Sequence, residues 1–150
     1  MNPNYAETLF EYDFWANSRV FEALEPFGNS IPEEILELLS HILGAKQIWY
    51  NRIQNIPAGK ELFAVQNLEM LKRSNESLLQ LWADLIHRMD INKTQITYQN
   101  LAGESFESSF SDILTQLFSH GSYHRGQIAR IIRESGEKPL ATDFIVFARQ

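Results

Sequence analysis

The sequence contains no cysteine. A disulfide framework, a thiol nucleophile and a thiolate metal site are therefore excluded, and any metal ion must be held by nitrogen and oxygen. Long hydrophobic runs are missing too. No stretch approaches the roughly 18 uninterrupted apolar residues that a membrane span needs, so no membrane association is expected. Met1 to Glu11 is polar and acidic, with neither the basic nor the apolar region of a secretory signal, and the expected location is the cytoplasm. Positive charge is scarce: 13 Lys and Arg against 19 Asp and Glu give a formal net charge of -6, with a pI near 5.2. A protein that tracks nucleic-acid phosphates carries a basic patch, so no nucleic-acid partner is expected. The chain has no internal repeat and no low-complexity tract.

What is present is core-forming material. Over 150 residues, 44% hydrophobic and 12% aromatic content suffices for one continuous core, and a single domain over residues 1–150 is expected. From Asn4 to about Leu24 apolar residues recur at helical spacing on two adjoining stripes, Leu9, Ala16, Val20 and Leu24 beside Phe10, Phe14 and Phe21. So wide an apolar arc implies extra core contact or a surface for another chain. Turn formers follow at 26–30. Ser30 can cap a second helix with Pro32 in its first turn, running from about Ile31 to Ile53. Its inward stripe reads Ile35, Leu38, Ile42, Ala45 and Trp49, and His41 falls in the same arc. Asn55 to Val65, with Pro57 and Gly59, lacks a period and reads as a long crossover loop. A third helix is expected from Asn67 through Met89, with Leu71, Leu78, Trp82, Leu85 and Met89 inward. Between Asp90 and Ser111 the period turns to alternation, with Ile96 and Tyr98 before Leu101-Ala102-Gly103-Glu104 and Phe106 and Phe110 after it, which predicts a short hairpin. Ser111-Asp112 starts a fourth helix to about Glu134, ended by Ser135-Gly136. The apolar tail from Asp143 to Phe147 is expected to dock back. The fold class is all-α: a four-helix bundle with a long crossover between helices 2 and 3 and a small β-hairpin before helix 4.

His120 and His124, four residues apart on the fourth helix, share one face one turn apart and fall in the stripe Ile113, Leu117, Gly121, Ile128, Ile131. Buried imidazoles need partners, because an unpaired buried polar group costs about 1–3 kcal/mol. Two hydrogen-bonded core histidines would meet that need, and so would a metal ion. His41 adds a third inward donor from a second long helix, and three imidazoles with open positions are a ligand set seen in catalytic zinc sites. His87, two residues beyond Leu85 and so rotated by about 200°, should face solvent. Glycine at 126 costs about 1 kcal/mol relative to alanine in mid-helix, which tight helix packing would explain. Gln127 could lie near the open positions or hydrogen bond to a ligand. Arg125 reads as a structural ion pair. Trp15, Trp49 and Tyr123 could line a pocket or fill core.

His120-Gly121-Ser122-Tyr123-His124-Arg125-Gly126-Gln127-Ile128, followed by Glu134-Ser135-Gly136-Glu137-Lys138-Pro139, resembles the C-terminal signature of the DinB-like family. Tyr12-Asp13-Phe14-Trp15-Ala16-Asn17, Ser40-His41-Ile42-Leu43-Gly44-Ala45 and Thr142-Asp143-Phe144-Ile145-Val146-Phe147-Ala148-Arg149 are also similar to it, so the resemblance spans the chain. It implies a four-helix bundle with an up-down-down-up course, a divalent ion such as zinc or nickel on His41, His120 and His124, and frequent homodimers. It fixes no single activity, since several relatives are S-transferases or isomerases using low-molecular-weight thiols.

Three functions follow as expectations. The first is an enzyme that activates a small thiol on a divalent transition metal ion, in the manner of a thiol S-transferase. The histidines would then be ligands only, and no catalytic residue is assigned. The second is a metal-dependent hydrolase of a small substrate, for which the inward stripe of the fourth helix offers no carboxylate as general base. The third is a non-catalytic metal-binding or sensor module. A structural zinc normally takes four protein ligands, and no fourth is evident.

Overall fold

The computed structural model describes residues 1–57, 64–100 and 102–150. Four long helices form, α1 (Pro3–Ala23), α2 (Glu33–Ile53), α3 (Leu68–Arg88) and α4 (Phe110–Glu134), with the strands β1 (Gln95–Gln99) and β2 (Ser105–Ser109) before α4 and a one-turn α5 (Phe144–Phe147) at the end. Local chemistry accounts for most of the boundaries. Asn2 caps α1 by accepting the Asn4 N–H, Asn67 caps α3 by accepting the Met70 N–H, and Ser109 caps α4 by accepting the Asp112 N–H. Ser109 also donates to the Asp112 carboxylate at 2.6 Å, so cap and third residue hold each other. The α4 cap thus lies two residues ahead of the expected start at Ser111. The expected cap of α2 is corrected as well. Pro32 itself occupies that position in an extended conformation, and Ser30, two residues outside, turns its N–H back to the Phe27 carbonyl. Gly136, at φ +85°, lets the Glu137 N–H reach back to the Ile132 carbonyl and closes α4.

Side-chain pairs give the course of the helices. Phe10 meets Trp82 and Asn17 meets Asn75, so α1 and α3 run antiparallel. Phe10 meets Phe118 while Asn17 meets Arg125, so α1 and α4 run parallel. Ser40 binds the Gln66 N–H and Tyr50 meets Trp82, so α2 and α3 also run parallel. The bundle is therefore up-down-down-up, and α1 packs beside α3 and α4, while α2 packs beside α4 and α3. A parallel α2–α3 pair requires a long return between them, over residues 54–67. Within that crossover, residues 58–63, Gly59 among them, lie outside the described residues, as does Leu101 of the hairpin turn.

The strands pair antiparallel, Gln95 opposite Ser109 through Gln99 opposite Ser105. Ile96 is buried, and Tyr98 packs edge-on against Trp49 of α2, which attaches the hairpin to the bundle. The core is filled by Phe10, Phe14, Leu39, Ile42, Trp82, Leu85, Phe110 and Leu117 with their neighbours. The broad apolar arc of α1 is used within the chain: Phe10 packs on Trp82 and Phe118, and Tyr12 and Trp15 are covered by Phe144 and Phe147. Tyr12 Oη donates to the Thr142 carbonyl at 2.9 Å, fastening the tail as its apolar residues suggested.

The buried face of α2 is Ile35, Leu39, Ile42, Leu43 and Lys46, turned away from the expected stripe; Leu38, Ala45 and Trp49 are only half-buried. His41 consequently lies on the rim and is exposed rather than interior. The glycine reading is also corrected. Gly126 is exposed with open space where a Cβ would stand, whereas a Cβ on Gly121 would lie 2.8 Å from Asp13 Oδ1. The close approach belongs to Gly121.

Candidate metal centre

α2 carries His41, and α4 carries His120 and His124 one turn apart. Because these helices are neighbours, three imidazoles from positions far apart in the chain meet at one groove. His120 Nε2 stands 2.9 Å from His41 Nε2 and 3.2 Å from His124 Nε2, and the three donor atoms all lie within 4.8 Å of one another. Nitrogens held at about 2.0–2.1 Å from one zinc ion are separated by about 3.3 Å at tetrahedral angles and about 3.0 Å at right angles. The group therefore has the spacing of a ligand set and could hold a metal ion.

Protonation points the same way. His124 Nδ1 lies 2.6 Å from Gln127 Oε1, an oxygen that only accepts, so the contact suits the tautomer with the hydrogen on Nδ1 and the Nε2 lone pair turned to the group. His120 Nε2 has a neighbouring nitrogen on two sides, and a single hydrogen cannot be directed well at both. One cation in the centre would satisfy all three lone pairs at once. Burial, followed by the adjacent imidazoles and Lys46, pulls His120 down to about 4, and burial with His124 pulls His41 below its ordinary value. Both imidazoles are thus neutral near pH 7, the form a metal needs. His120 and His124 are half-buried and His41 is exposed, so the open side of the group faces outward. A cavity of about 310 Å³ beside it is lined by Glu37, Ser40, His41, Gly44 and Ile48.

Behind the histidines lies a charged cluster. The Asp13 carboxylate of α1 sits 2.7 Å from Lys46 Nζ of α2 and 2.7 Å from Arg125 Nη1 of α4, with all three side chains 1% exposed. Burial pushes the Asp13 carboxyl up, but the two cations outweigh it and hold it below the usual carboxylate value. Burial likewise pulls the Lys46 ammonium below its ordinary value, against the attraction of Asp13. Arg125 Nη1 also donates to Asn17 Oδ1 at 2.9 Å, and Asn17 Nδ2 donates to Asn75 Oδ1 at 2.9 Å. One polar network thereby ties all four long helices directly beneath the groove, and it braces the elements that carry the histidines.

The histidines chosen from sequence are therefore brought together, and Gln127 takes the second of its two expected places, against His124 rather than at the open positions. Arg125 forms the expected ion pair. His87 is exposed, with Glu7 at 3.9 Å. Trp15 and Trp49 are half-buried against Phe147 and Tyr98, Tyr123 is 66% exposed, and none of the three lines the cavity beside His41. Sequence reasoning missed Asp13 and Lys46. A signal existed, since Asp13 interrupts the apolar arc of the first helix and Lys46 lies one turn beyond Ile42.

Similarity to known proteins extends along the whole chain. The sequence model of the DinB family matches residues 1–150. The curated Protein DinB of Bacillus subtilis (strain 168) is 26% identical over 163 residues, covering 94% of this chain and 92% of that protein. No solved structure matches.

Proposed function

The chain belongs to the DinB family, and on that ground, together with the convergence of three Nε2 atoms at an open groove, we propose that it is a metal-dependent enzyme acting on a small thiol. His41, His120 and His124 would hold one divalent transition metal ion, zinc or nickel. Such an ion supplies a Lewis acid that lowers a thiol's pKa, so that more of it is thiolate at neutral pH. The chain's own residues do the rest. Gln127 orients His124, the buried Asp13 cluster holds α2 and α4 in register, and the cavity beside His41 admits the substrate. The observation that carries the reading is the 2.9 and 3.2 Å spacing of the nitrogens on the outward side of the bundle. Elemental analysis of protein purified without chelators should find about one equivalent of metal, lost in the variant H41A/H120A/H124A. Thiol–electrophile transfer should then require the metal, and absence of turnover with every thiol and electrophile tried would overturn the reading.

A second reading has one observation in its favour. Glu37 lines the same cavity, four residues before His41. The carboxylate missing from the fourth helix thus has a counterpart on α2, able to take a proton from an attacking water in hydrolysis. Esterase or amidase activity lost both on chelation and in E37Q would favour hydrolysis. As to partners, Tyr5 and Ile145 are exposed apolar side chains suited to a homodimer contact. Light scattering showing a monomer at micromolar concentration would overturn that assignment.

A further inference from the structure

A second cavity, of about 640 Å³, lies between the C-terminal half of α2 and the hairpin, lined by Ile48, Asn51, Arg52, Thr97, Tyr98 and Asn100 among others. Ile48 also lines the cavity beside His41, so the two hollows adjoin along one helix. Ile48 and Arg52 follow His41 by seven and eleven residues, close to two and three whole turns, which puts all three on one face, His41 and Arg52 about 16 Å apart along the axis. The Arg52 guanidinium carbon lies 4.7 Å from the centre of the Trp49 ring and 5.0 Å from that of Tyr98. Ring contacts of this kind steady the guanidinium while leaving edge N–H donors for a planar or tetrahedral anion. Among the described residues, no carboxylate lies within ion-pair distance of Arg52. In the same half of α2 the Asn51 side chain, largely buried, is held by Gln47 at 2.8 Å and borders the hollow.

We infer that Arg52 is the recognition point for an anionic group, carboxylate or phosphate, at the far end of an elongated substrate whose reactive end sits at the three histidines. The inference rests on the proposed metal site for the near end only. Between the two polar ends the wall of α2 is uncharged Gly44, Ala45 and Ile48, so the site selects by length as well as charge. A short acid reaches one end but not both, and a neutral chain of the right length lacks the ion pair.

The test uses cobalt-loaded protein and three probes that differ only in head group: 11-mercaptoundecanoic acid, 11-mercaptoundecylphosphonic acid and 11-mercapto-1-undecanol. Binding is followed by tryptophan fluorescence, which Trp49 reports, and sulfur ligation by the thiolate-to-cobalt absorption band. One or both acids should bind about tenfold more tightly than the alcohol, and which of them does so identifies carboxylate or phosphate. The shorter pair 3-mercaptopropionic acid and 3-mercapto-1-propanol should show no such difference. In R52Q the long acids should fall to the affinity of the alcohol, with cobalt content unchanged. Equal affinity of acids and alcohol in the parent, or a preference that survives in R52Q or appears equally with the short pair, would overturn the inference. Undecanoate, which lacks sulfur, separates the two claims. If it binds in an Arg52-dependent way while no thiol produces the absorption band, thiol activation fails and the anion subsite stands.

Discussion

Gly121 of α4 gives Asp13 of α1 the space it occupies, since a methyl group at 121 would lie 2.8 Å from Asp13 Oδ1 and 3.0 Å from Arg125 Nη1. Neither neighbour can retreat easily, because each is held by the other at 2.7 Å and Asp13 is also held by Lys46. Overpacking usually costs about 1–3 kcal/mol and the gain in helix propensity offsets about 1 kcal/mol of it, so G121A is expected to destabilise the protein by up to about 2 kcal/mol. Urea unfolding measures it, and a midpoint raised as far as that of G126A would show that the ion pair can shift at no cost.

Gly126 is the opposite case. It lies in mid-helix, exposed, with nothing within 4 Å of the place a Cβ would take, so G126A should stabilise by about 1 kcal/mol through helix propensity alone. A lowered melting temperature would mean that something else uses the bare backbone there.

D13A removes the one anion between two buried cations. Breaking a buried pair by deleting one partner costs about 3–5 kcal/mol, because the remaining charge stays desolvated. Unfolding of D13A measured with and without metal should show the loss in both states. A loss below about 1 kcal/mol would mean that Lys46 or Arg125 escapes to solvent.

Q127A takes the acceptor from His124 Nδ1, freeing the ring to turn and to change tautomer. Loss of such a partner typically weakens metal binding by about 10- to 100-fold. Competition with a chromophoric chelator should find this change while far-ultraviolet circular dichroism stays constant. Unaltered affinity would show that the two helices alone orient the ring.

The metal-free protein should lose stability as pH falls. The folded-state values of His120 and His41 are depressed, to about 4 for His120, so below about 6.5 the unfolded chain takes up protons that these imidazoles refuse while folded. Their contribution is fully present above that pH and is lost progressively down to about pH 4. Melting temperatures of apoprotein across this range provide the check, and a flat profile between pH 7 and 5 would contradict it.

The legible part of the molecule was whatever periodicity carries. Apolar spacing marked all four long helices, alternation marked the hairpin, and the pairing of His120 with His124 followed from one turn of one helix. The orientation of α2 was less legible, because Ile35 and Ile42 suit either of two neighbouring stripes and only the facing helices choose between them. The choice places Lys46 inside and His41 on the rim. The Asp13–Arg125 contact joins positions 112 residues apart, so although Arg125 reads as half of an ion pair, no local pattern names Asp13 as its partner or draws Lys46 in beside it. The two mid-helix glycines differ only in what stands opposite them.

The separation of the three histidines along the chain also sets when their cluster can exist. His41 and His120 are 79 residues apart, so on a ribosome adding roughly 5–20 residues per second, His41 is synthesised about 4–16 s before its first partner. A metal ion held by all three histidines could therefore enter only after the fourth helix has been made, so its capture would follow the docking of α4 on α2 rather than precede it.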